Sequence, residues 1–476
     1  MQSGFSNIQY MNEIRKGDER KRKYYINLVF FLLSIVIIVA ICPRKSIHVW
    51  NEILGSTILV SSCYIVLFVF LSHFRLEILE VKRKTFFIIL TILVFILFTR
   101  VVIILPGSII QYLIPFAIIS LVIRTFYDAR LAMFILLVTI MLAGLLVPDP
   151  FEFVFMNFIA GAIALFSLSD NYRRGKLFIS ALLVVVSYSV IYFGISLLHD
   201  GNIYSINWSG YKWFVGNGFL VLLSYPLIFV FEKRFLFLSD TTLLELSDTN
   251  QPLLRRLAEE APGSFQHSRQ VANLAEEAAR EIGANLLLVR AGALYHDIGK
   301  VVNSQNFIEN QSLNFSPHTN LDPLESSKLI INHVNEGVLI ARKYKLPVQI
   351  IDFIRTHHGT TMTYFFYKKY LDLEDKEGGM EEEFTYPGPK PFSREHAIVM
   401  MADAVEASSR TLDQFSAESI SELVERILII QEQDDQFSDA PLTFKDITDI
   451  KKVFKKCLSN IYHVRVAYPE RDSIRD

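Results

Sequence analysis

The chain has 476 residues, of which 51% are hydrophobic, and a formal net charge of −2. Its charged residues are unevenly distributed: 21 of the 208 residues in 24–231 are Asp, Glu, Lys or Arg, about 10%, against 66 of the 245 residues in 232–476, about 27%. A soluble domain averages about a quarter charged residues. The sequence therefore excludes a secreted or wholly soluble enzyme and predicts a membrane half followed by a soluble half.

Two further counts narrow the classes of function. Residues 232–476 contain 38 acidic and 28 basic side chains, a net charge of −10, which argues against a nucleic-acid polymer as partner because binding a polyphosphate requires a basic face. The three cysteines, Cys42, Cys63 and Cys457, are far apart and match neither a disulfide framework nor a zinc-ribbon spacing.

A basic tail at residues 1–23 precedes a predicted transmembrane domain over residues 24–232. A helix that crosses the hydrocarbon core needs about 20 mostly apolar residues. Eight stretches qualify or nearly so, and we expect a polytopic helical domain of about eight spans: 24–42, 53–72, 85–105, 109–123, 129–147, 151–169, 177–198 and 213–231.

The orientation of these spans follows from the positions of Lys and Arg, which concentrate on the cytoplasmic side of membrane proteins. With the N-terminus inside, the inner segments contain seventeen of these residues, Arg173 and Arg174 among them, and the outer loops contain three. An even number of spans places both termini inside. The sequence therefore predicts a multi-pass protein of the bilayer with a cytoplasmic soluble half.

The membrane half carries little sign of a transport path. Charged residues inside the membrane usually mark an ion or substrate pathway. Arg100, near the outer end of the third stretch, is the clear case here, and a side chain that extends to the outer interface explains it as well. A transporter is therefore the weakest of the functional hypotheses.

The soluble half has a helical pattern throughout. Residues 233–262 read as an amphipathic linker that ends at the chain-breaking Pro262-Gly263. The domain that follows, residues 263–476, lacks any alternating strand pattern, so an all-α fold is expected. Its predicted helices are 264–282, 286–297, 323–344, 347–357, 393–410, 417–432 and 443–460.

Histidine and aspartate residues stand where these helices end or are buried. His296-Asp297 follows the apolar run 291–295, and His357-His358 follows the run 350–356. Asp403 lies within an apolar segment, where an unpaired carboxylate is costly. Imidazole and carboxylate together suit iron or manganese better than calcium or magnesium. The pattern predicts a site for two divalent metal ions, Mn or Fe, from five histidines and two aspartates at helix ends and buried helix positions.

The same residues resemble a known family. His267, His296-Asp297 and Asp403 match the HD superfamily of metal-dependent phosphohydrolases. The additional His333 and His357-His358 match the binuclear members of this superfamily. Longer strings resemble the seven-transmembrane HD family, whose PgpH-type members hydrolyse cyclic di-AMP: Leu244-Glu-Leu-Ser-Asp248, Glu260-Ala-Pro-Gly-Ser264, Tyr295-His-Asp-Ile-Gly-Lys300, Glu309-Asn-Gln311, His357-His-Gly-Thr-Thr361, Tyr386-Pro-Gly-Pro-Lys390, Ala402-Asp-Ala-Val-Glu-Ala407 and Ile461-Tyr-His463.

This resemblance implies a role for each ligand. One metal ion would be held by His267, His296, Asp297 and Asp403, and the second by Asp297, His333, His357 and His358, with Asp297 bridging both. The implied activity is two-metal hydrolysis of cyclic di-AMP to pApA at the bacterial cytoplasmic (inner) membrane, with a homodimer as an open possibility for the assembly. One departure from the family pattern is the interval Pro43–Glu52, where other members usually carry a large extracytoplasmic domain.

Two further residues are candidates for the substrate. Lys300, one helical turn beyond Asp297, could reach a phosphate oxygen as a catalytic and substrate-binding group, and equally could pair with a nearby acid. His318, in a loop after Pro317, is a candidate substrate contact, since loops carry both binding residues and ordinary surface polar ones.

Several alternatives to this function stay open. Cyclic di-GMP hydrolases of the HD superfamily carry a Gly-Tyr-Pro signature after the histidine pair, whereas here Gly359-Thr-Thr361 follows it and Tyr386-Pro387 is preceded by Thr385. A different nucleotide phosphohydrolase is a related alternative. A membrane receptor with a regulatory, inactive HD domain would be expected to lack a metal ligand, yet all seven positions are filled.

Overall fold

The computed structural model describes residues 25–43, 48–105, 110–167, 175–311, 316–374 and 380–462. Within these ranges the secondary structure is helical, with one isolated antiparallel bridge between Met362 and Thr385 and no strand. The chain divides into two compact units, Met1–Ser239 and Asp240–Asp476. The prediction of an all-α protein is confirmed.

In its described residues the first unit consists of apolar helices. Its α-helices are α1 Tyr25–Ile41, α2 Val49–Phe74, α3 Leu76–Glu80, α4 Lys82–Ile104, α5 Ala117–Phe126, α6 Ala129–Gly144, α7 Pro150–Ser167, α8 Gly175–Asp200, α9 Tyr211–Val221 and α10 Ser224–Phe235.

Each of the eight apolar stretches corresponds to helical structure in the described residues. Within the part of the chain that the structure describes, five segments are long and apolar enough to cross a membrane: Val49–Phe74, Lys82–Ile104, Pro150–Ser167, Gly175–His199 and Trp208–Phe235. Tyr25–Ile41, Ile110–Phe126 and Ala129–Gly144 are apolar but shorter. Membrane helices are confirmed, and the number of spans stays a prediction.

Two of the predicted spans are interrupted. The last one is divided into α9 and α10 at Leu222-Leu223, because Pro226 in the first turn of α10 has no amide proton for the carbonyl four residues earlier. The fourth begins with irregular backbone before α5. Buried Asn217 donates hydrogen bonds of 2.8 and 2.9 Å to the carbonyls of Tyr112 and Ile114, so this backbone is satisfied inside the unit.

In its described residues the second unit contains eleven α-helices and several single 3₁₀ turns. The α-helices are α11 Asp240–Leu246, α12 Pro252–Glu260, α13 Pro262–Ile282, α14 Leu286–Tyr295, α15 Pro323–Ile331, α16 His333–Lys343, α17 Val348–Thr356, α18 Tyr364–Glu374, α19 Arg394–Ser409, α20 Ala417–Gln433 and α21 Phe444–Ile461.

Helix α14 lies at the centre of this unit and packs against α13, α17 and α19. Residues Ala291–Tyr295 are all buried, so the helix exposes no face to solvent at its C-terminal end. A methyl group at Gly292 would overlap the ring of Phe353 in α17, which explains why a glycine stands there. This close packing holds His296 and Asp297, which follow α14, inside the unit.

Two predictions about the helices of this unit were wrong. The single helix predicted over 323–344 is divided at Asn332, because the imidazole of His333 takes the carbonyl of Ile330 that a continuous helix would offer to a later amide. Helix α18 was not predicted. Its aromatic residues Tyr367 and Tyr370 form a small core with Phe384. This core is separate from that of the main bundle.

Candidate metal centre

The seven predicted metal ligands come from five separate segments and meet inside the second unit. His267 lies in α13 and Asp403 in α19, while His296-Asp297 follows α14. His333 is the first residue of α16, and His357-His358 follows α17. Two groups have ligand atoms that all lie within 4.8 Å of one another: His267, His296 and Asp297, and His333, His357 and His358.

The carboxylate of Asp297 lies between these two groups. Its Oδ1 atom is 3.5 Å from Nε2 of His333 and 3.6 Å from Nε2 of His357. Its Oδ2 atom is 3.4 Å from Nε2 of His296 and 3.8 Å from Nε2 of His267. Each oxygen therefore faces one group, which is the arrangement that a bridging carboxylate requires.

Asp403 completes the first group and touches the second. Its Oδ1 atom is 2.7 Å from Nε2 of His267 and 3.5 Å from Nε2 of His296. Its Oδ2 atom is 3.9 Å from Nδ1 of His358. The carboxylate predicted from an isolated Asp in an apolar helix thus lies beside three of the predicted histidine ligands.

Hydrogen bonds on the outer side of the rings orient the histidines. The Nδ1 atoms of His296, His333 and His357 bond the carbonyls three residues earlier in their own segments, at 2.6, 2.6 and 2.9 Å. A carbonyl only accepts, so each Nδ1 donates its proton to the carbonyl and Nε2 is the ring nitrogen that faces the centre. Three imidazoles are therefore oriented with Nε2 toward the position of a metal ion.

Glycine permits the two halves of the centre to approach each other. Gly299, in the 3₁₀ turn Ile298–Val301 after Asp297, contacts the start of α16. A Cβ atom at this position would overlap the carbonyl of His333, and a Cβ at Gly337 would meet the side chain of Ile354. Gly299, within the Tyr295–Lys300 motif, thus allows Asp297 to lie close to His333.

The two groups differ in charge. Burial alone would lower the pKa of His267, but hydrogen bonds to Asp403 and Glu406 raise it to about 9. Burial opposes protonation of His296 as well, and the charges of Asp297 and Asp403 raise its pKa to about 10. In the second group burial lowers the pKa of His333 to about 3. Without metal, the first group therefore favours protonated rings beside its carboxylates, whereas burial lowers the pKa of both His333 and His358 in the second.

The residues fit a pair of divalent cations. The Nε2 atom of His296 and Oδ1 of Asp297 are buried and accept no hydrogen bond from any described residue. Buried polar atoms are nearly always satisfied, so atoms of this kind point to a missing partner. Imidazole and carboxylate ligands suit transition metals such as manganese and iron.

Lys300 lies among acids next to the centre. Its Nζ atom is 2.7 Å from Oδ2 of Asp297 and 2.9 Å from Oε1 of Glu309. Burial opposes its charge, yet these two carboxylates raise the pKa of Lys300 above its usual value. Burial also opposes the charge of Glu309, and Lys300 nonetheless lowers the pKa of Glu309. The alternative in which Lys300 pairs with a nearby acid therefore describes its geometry, and its substrate role stays a prediction.

Glu309 is a neighbour that the sequence argument did not assign. It accepts a hydrogen bond of 2.8 Å from Ser264 Oγ, at the start of α13. The adjacent Asn310 Oδ1 accepts the amide protons of Gly263 and Ser264 at 2.8 and 3.2 Å. The signal was present in the motif Glu309-Asn-Gln311, whose polar side chains cap α13 and hold Lys300.

His318 lies apart from the seven ligands. Its Nε2 donates to the carbonyl of Asn306 at 2.8 Å, and its ring packs against Phe366 with 5.2 Å between centroids. The described contacts of His318 include none of the predicted metal ligands, and its substrate role also stays a prediction. His463 and the basic residues Arg173 and Arg174 lie outside the described residues.

A cavity of about 390 Å³ is lined in part by Tyr386, a neighbour of the second group. Tyr386 stacks on His358 with ring centroids 4.2 Å apart. A volume of this size is within the range of small-molecule sites, roughly 300–1,000 Å³. The remaining lining residues are Met362, Glu381, Glu382, Thr385 and Pro387.

Comparison with known proteins gives matches to both halves of the chain. Residues 50–239 match the family described as 7TM receptor with intracellular HD hydrolase, and residues 264–408 match the HD domain. The chain is 46% identical over 240 residues to the cyclic-di-AMP phosphodiesterase PgpH of Bacillus subtilis (strain 168), covering 50% of this chain and 34% of that protein.

Two further matches involve Listeria monocytogenes. PgpH of serotype 1/2a (strain 10403S), a cyclic-di-AMP phosphodiesterase, is 35% identical over 315 residues, which are 66% of this chain and 44% of that protein. The crystal structure of the L. monocytogenes PgpH HD domain in complex with cyclic-di-AMP is 38% identical and matches 46% of this chain and 100% of that chain, with a TM-score of 0.43. The chain spans less than half the length of these two curated relatives.

Proposed function

We propose, from the premise that the chain belongs to the family of seven-transmembrane receptors with an intracellular HD hydrolase domain, that it is a membrane-bound, metal-dependent phosphodiesterase. Its substrate would be cyclic di-AMP and its product the linear dinucleotide pApA. The observation that carries the proposal is the position of Asp297, with one carboxylate oxygen toward each of two histidine groups. This placement is typical of two-metal hydrolysis of phosphate esters.

Each group of side chains would hold one cation, Mn or Fe because of the imidazole ligands. His267, His296 and Asp403 would bind the first, and His333, His357 and His358 the second, with Asp297 between them. Two cations bound there would supply a water that is acidic near neutral pH and positive charge for the phosphoryl oxygens. A separate general base among the side chains is then unnecessary.

The other side chains would position these groups. Lys300 lies within ion-pair distance of Asp297 Oδ2 and would hold that carboxylate between the two groups. Glu309 lies on the far side of the same ammonium group and limits its movement. In this position Lys300 brings a positive charge to the edge of the centre, where a non-bridging phosphate oxygen would lie.

The choice of cyclic di-AMP rests on the names of the two curated relatives and on the absence of a Gly-Tyr-Pro signature after His358. The proposed location is the bacterial cytoplasmic membrane, with both termini and residues 263–476 in the cytoplasm. The excess of Lys and Arg in alternate loops supports this orientation.

The test uses the full chain in detergent, loaded with Mn²⁺ and given cyclic di-AMP and cyclic di-GMP in parallel. We expect pApA from cyclic di-AMP, and little cleavage of cyclic di-GMP. The Asp297→Asn variant should be inactive, and the Asp449→Asn variant, altered at a partly exposed carboxylate that pairs with Lys452, should be unaffected. Preferential cleavage of cyclic di-GMP would refute the substrate. A chain that binds two ions and cleaves neither compound would favour the receptor hypothesis.

A further inference from the structure

The four histidines that use Nε2 toward the centre are oriented by two different kinds of partner. Three of them donate Nδ1–H to a main-chain carbonyl in their own segment. The fourth, His267, has its Nδ1 hydrogen-bonded to the carboxylate of Glu406, which is 139 residues away in the chain. One ligand of the centre is therefore held by an anionic side chain from another helix.

Helix α19 holds the ring of His267 from both sides. Asp403 and Glu406 are three residues apart, so they lie on the same face of the helix. Asp403 is 2.7 Å from Nε2 of His267, and Glu406 bonds Nδ1 of the same ring. Glu406 is only 4% exposed, so its placement does not depend on solvent.

Arg410 in turn fixes Glu406. Its Nε and Nη2 atoms donate to Oε1 of Glu406 at 3.0 and 2.6 Å. The guanidinium group thus occupies one carboxylate oxygen and leaves the other, Oε2, for His267. Two donors converging on one oxygen restrict the rotation of the carboxylate, as a planar guanidinium group does with good geometry.

We propose that Glu406, held by Arg410, is a positioning residue that orients His267 and makes the metal position formed by His267, His296 and Asp403 the tighter of the two. This inference rests on the proposed function, because it requires a metal ion at each position. A carboxylate is a stronger hydrogen-bond acceptor than a carbonyl, so it increases the electron donation of the imidazole to a cation. The position formed by His333, His357 and His358 has no such partner among the described residues.

The test is a set of Mn²⁺ titrations of the full chain in detergent, with each position isolated. In the His333→Ala background the first position remains, and adding Glu406→Gln should weaken its Mn²⁺ binding about 10- to 100-fold. In the His267→Ala background the second position remains, and Glu406→Gln should change its affinity less than about threefold. Glutamine keeps an oxygen for His267 Nδ1–H, so the comparison isolates the negative charge.

Arg410→Met supplies a second variant of the same pair. It should weaken the first position less than Glu406→Gln does, because the carboxylate remains while its orientation is freed. Added to Glu406→Gln it should cause no further loss, since both residues act through one hydrogen bond. The control is Glu425→Gln, which removes a partly exposed carboxylate that pairs with Lys451 and Lys455 and leaves His267 untouched.

The outcomes separate this inference from the proposed function. Failure of the unsubstituted chain to bind two Mn²⁺ ions would refute the function on which the inference rests. Two ions with equal loss at both positions in Glu406→Gln, accompanied by a lower melting temperature of the metal-free protein, would mean a purely structural carboxylate and would refute the inference alone. Unchanged affinity of the first position would refute it as well.

Discussion

Replacing Asp297 by alanine should abolish both metal positions together. The two carboxylate oxygens of Asp297 face different histidine groups, at 3.4–3.8 Å on one side and 3.5–3.6 Å on the other. No other described carboxylate lies within 4 Å of ligand atoms from both His296 and His357. Loss of His333 should weaken mainly the second position, since its Nε2 atom lies 3.1 Å from Nε2 of His357 and 3.5 Å from Oδ1 of Asp297.

The size of the effect follows from what two cations supply. They contribute several kcal/mol of transition-state stabilisation to phosphodiester hydrolysis, and about 1.4 kcal/mol corresponds to tenfold in rate. Asp297→Ala should therefore lose about a thousandfold or more in turnover of cyclic di-AMP. The fold should survive, because Lys300 keeps its second partner, Glu309, at 2.9 Å.

The assay is turnover of cyclic di-AMP by the full chain under saturating Mn²⁺, with metal content and circular dichroism measured on the same samples. Asp297→Asn should fare little better than alanine, since an amide offers one neutral oxygen where two anionic oxygens are needed. Asp449→Asn is the matched control at the surface of the same unit. A folded Asp297→Ala protein that keeps more than about a tenth of the original turnover would refute the bridging role.

Three other predictions concern pH, packing and topology. Mn²⁺ must displace the protons of His267 and His296, whose pKa values are raised to about 9 and about 10. Binding of Mn²⁺ near pH 7 should therefore release about two protons per chain, and the affinity for Mn²⁺ should increase up to about pH 10. Calorimetry in buffers of different ionisation enthalpy measures the number of protons released. Binding of Mn²⁺ without proton release would contradict the prediction. Protonation of His267 and His296 stabilises the metal-free fold below about pH 6.5, and this contribution to the free energy of unfolding is lost as pH rises through 9 and 10. Gly299→Ala should lower the free energy of unfolding by about 1–3 kcal/mol and weaken Mn²⁺ binding, because its methyl group overlaps the first residue of α16. An unchanged melting temperature and metal content would show that the backbone accommodates the methyl group. In a variant without the three native cysteines, a cysteine at Asp149 should react with an impermeant thiol reagent from outside, and one at Arg130, at the other end of α6, should not; the reverse pattern would overturn the orientation.

Five of the seven predicted metal ligands could be predicted from local sequence because they stand where a local pattern changes, whereas His267 and His333 were named through the family resemblance. His296-Asp297 and His357-His358 end apolar helical runs, and Asp403 interrupts one. A polar residue at such a place needs a partner, and the chemistry of imidazole and carboxylate limits what that partner is. Local sequence was sufficient for these five residues, and the metal-binding roles of all seven stay predictions.

The surroundings of the ligands were harder to predict, because they depend on contacts between distant segments. Glu406 follows Asp403 by three residues, a spacing that hinted at a shared helix face, yet only the packing of α13 on α19 brings it to His267. Tyr386 reaches His358 through a segment whose helix, α18, lacks the apolar period of the main bundle. For a charged side chain such as Lys300, the sequence alone does not distinguish a contact with the substrate from an ion pair with a nearby acid.

The contact between His267 and Asp403 also has a mechanical meaning. These residues are 136 positions apart in the chain, and one belongs to the first long helix of the second unit. A cation bound by both would act as a reversible cross-link that closes a loop of this length. Cross-links over loops of about 100 residues remove roughly 5 kcal/mol of chain entropy from the unfolded state. The supply of metal would then govern how long the soluble half survives in the cell, in addition to how fast it works.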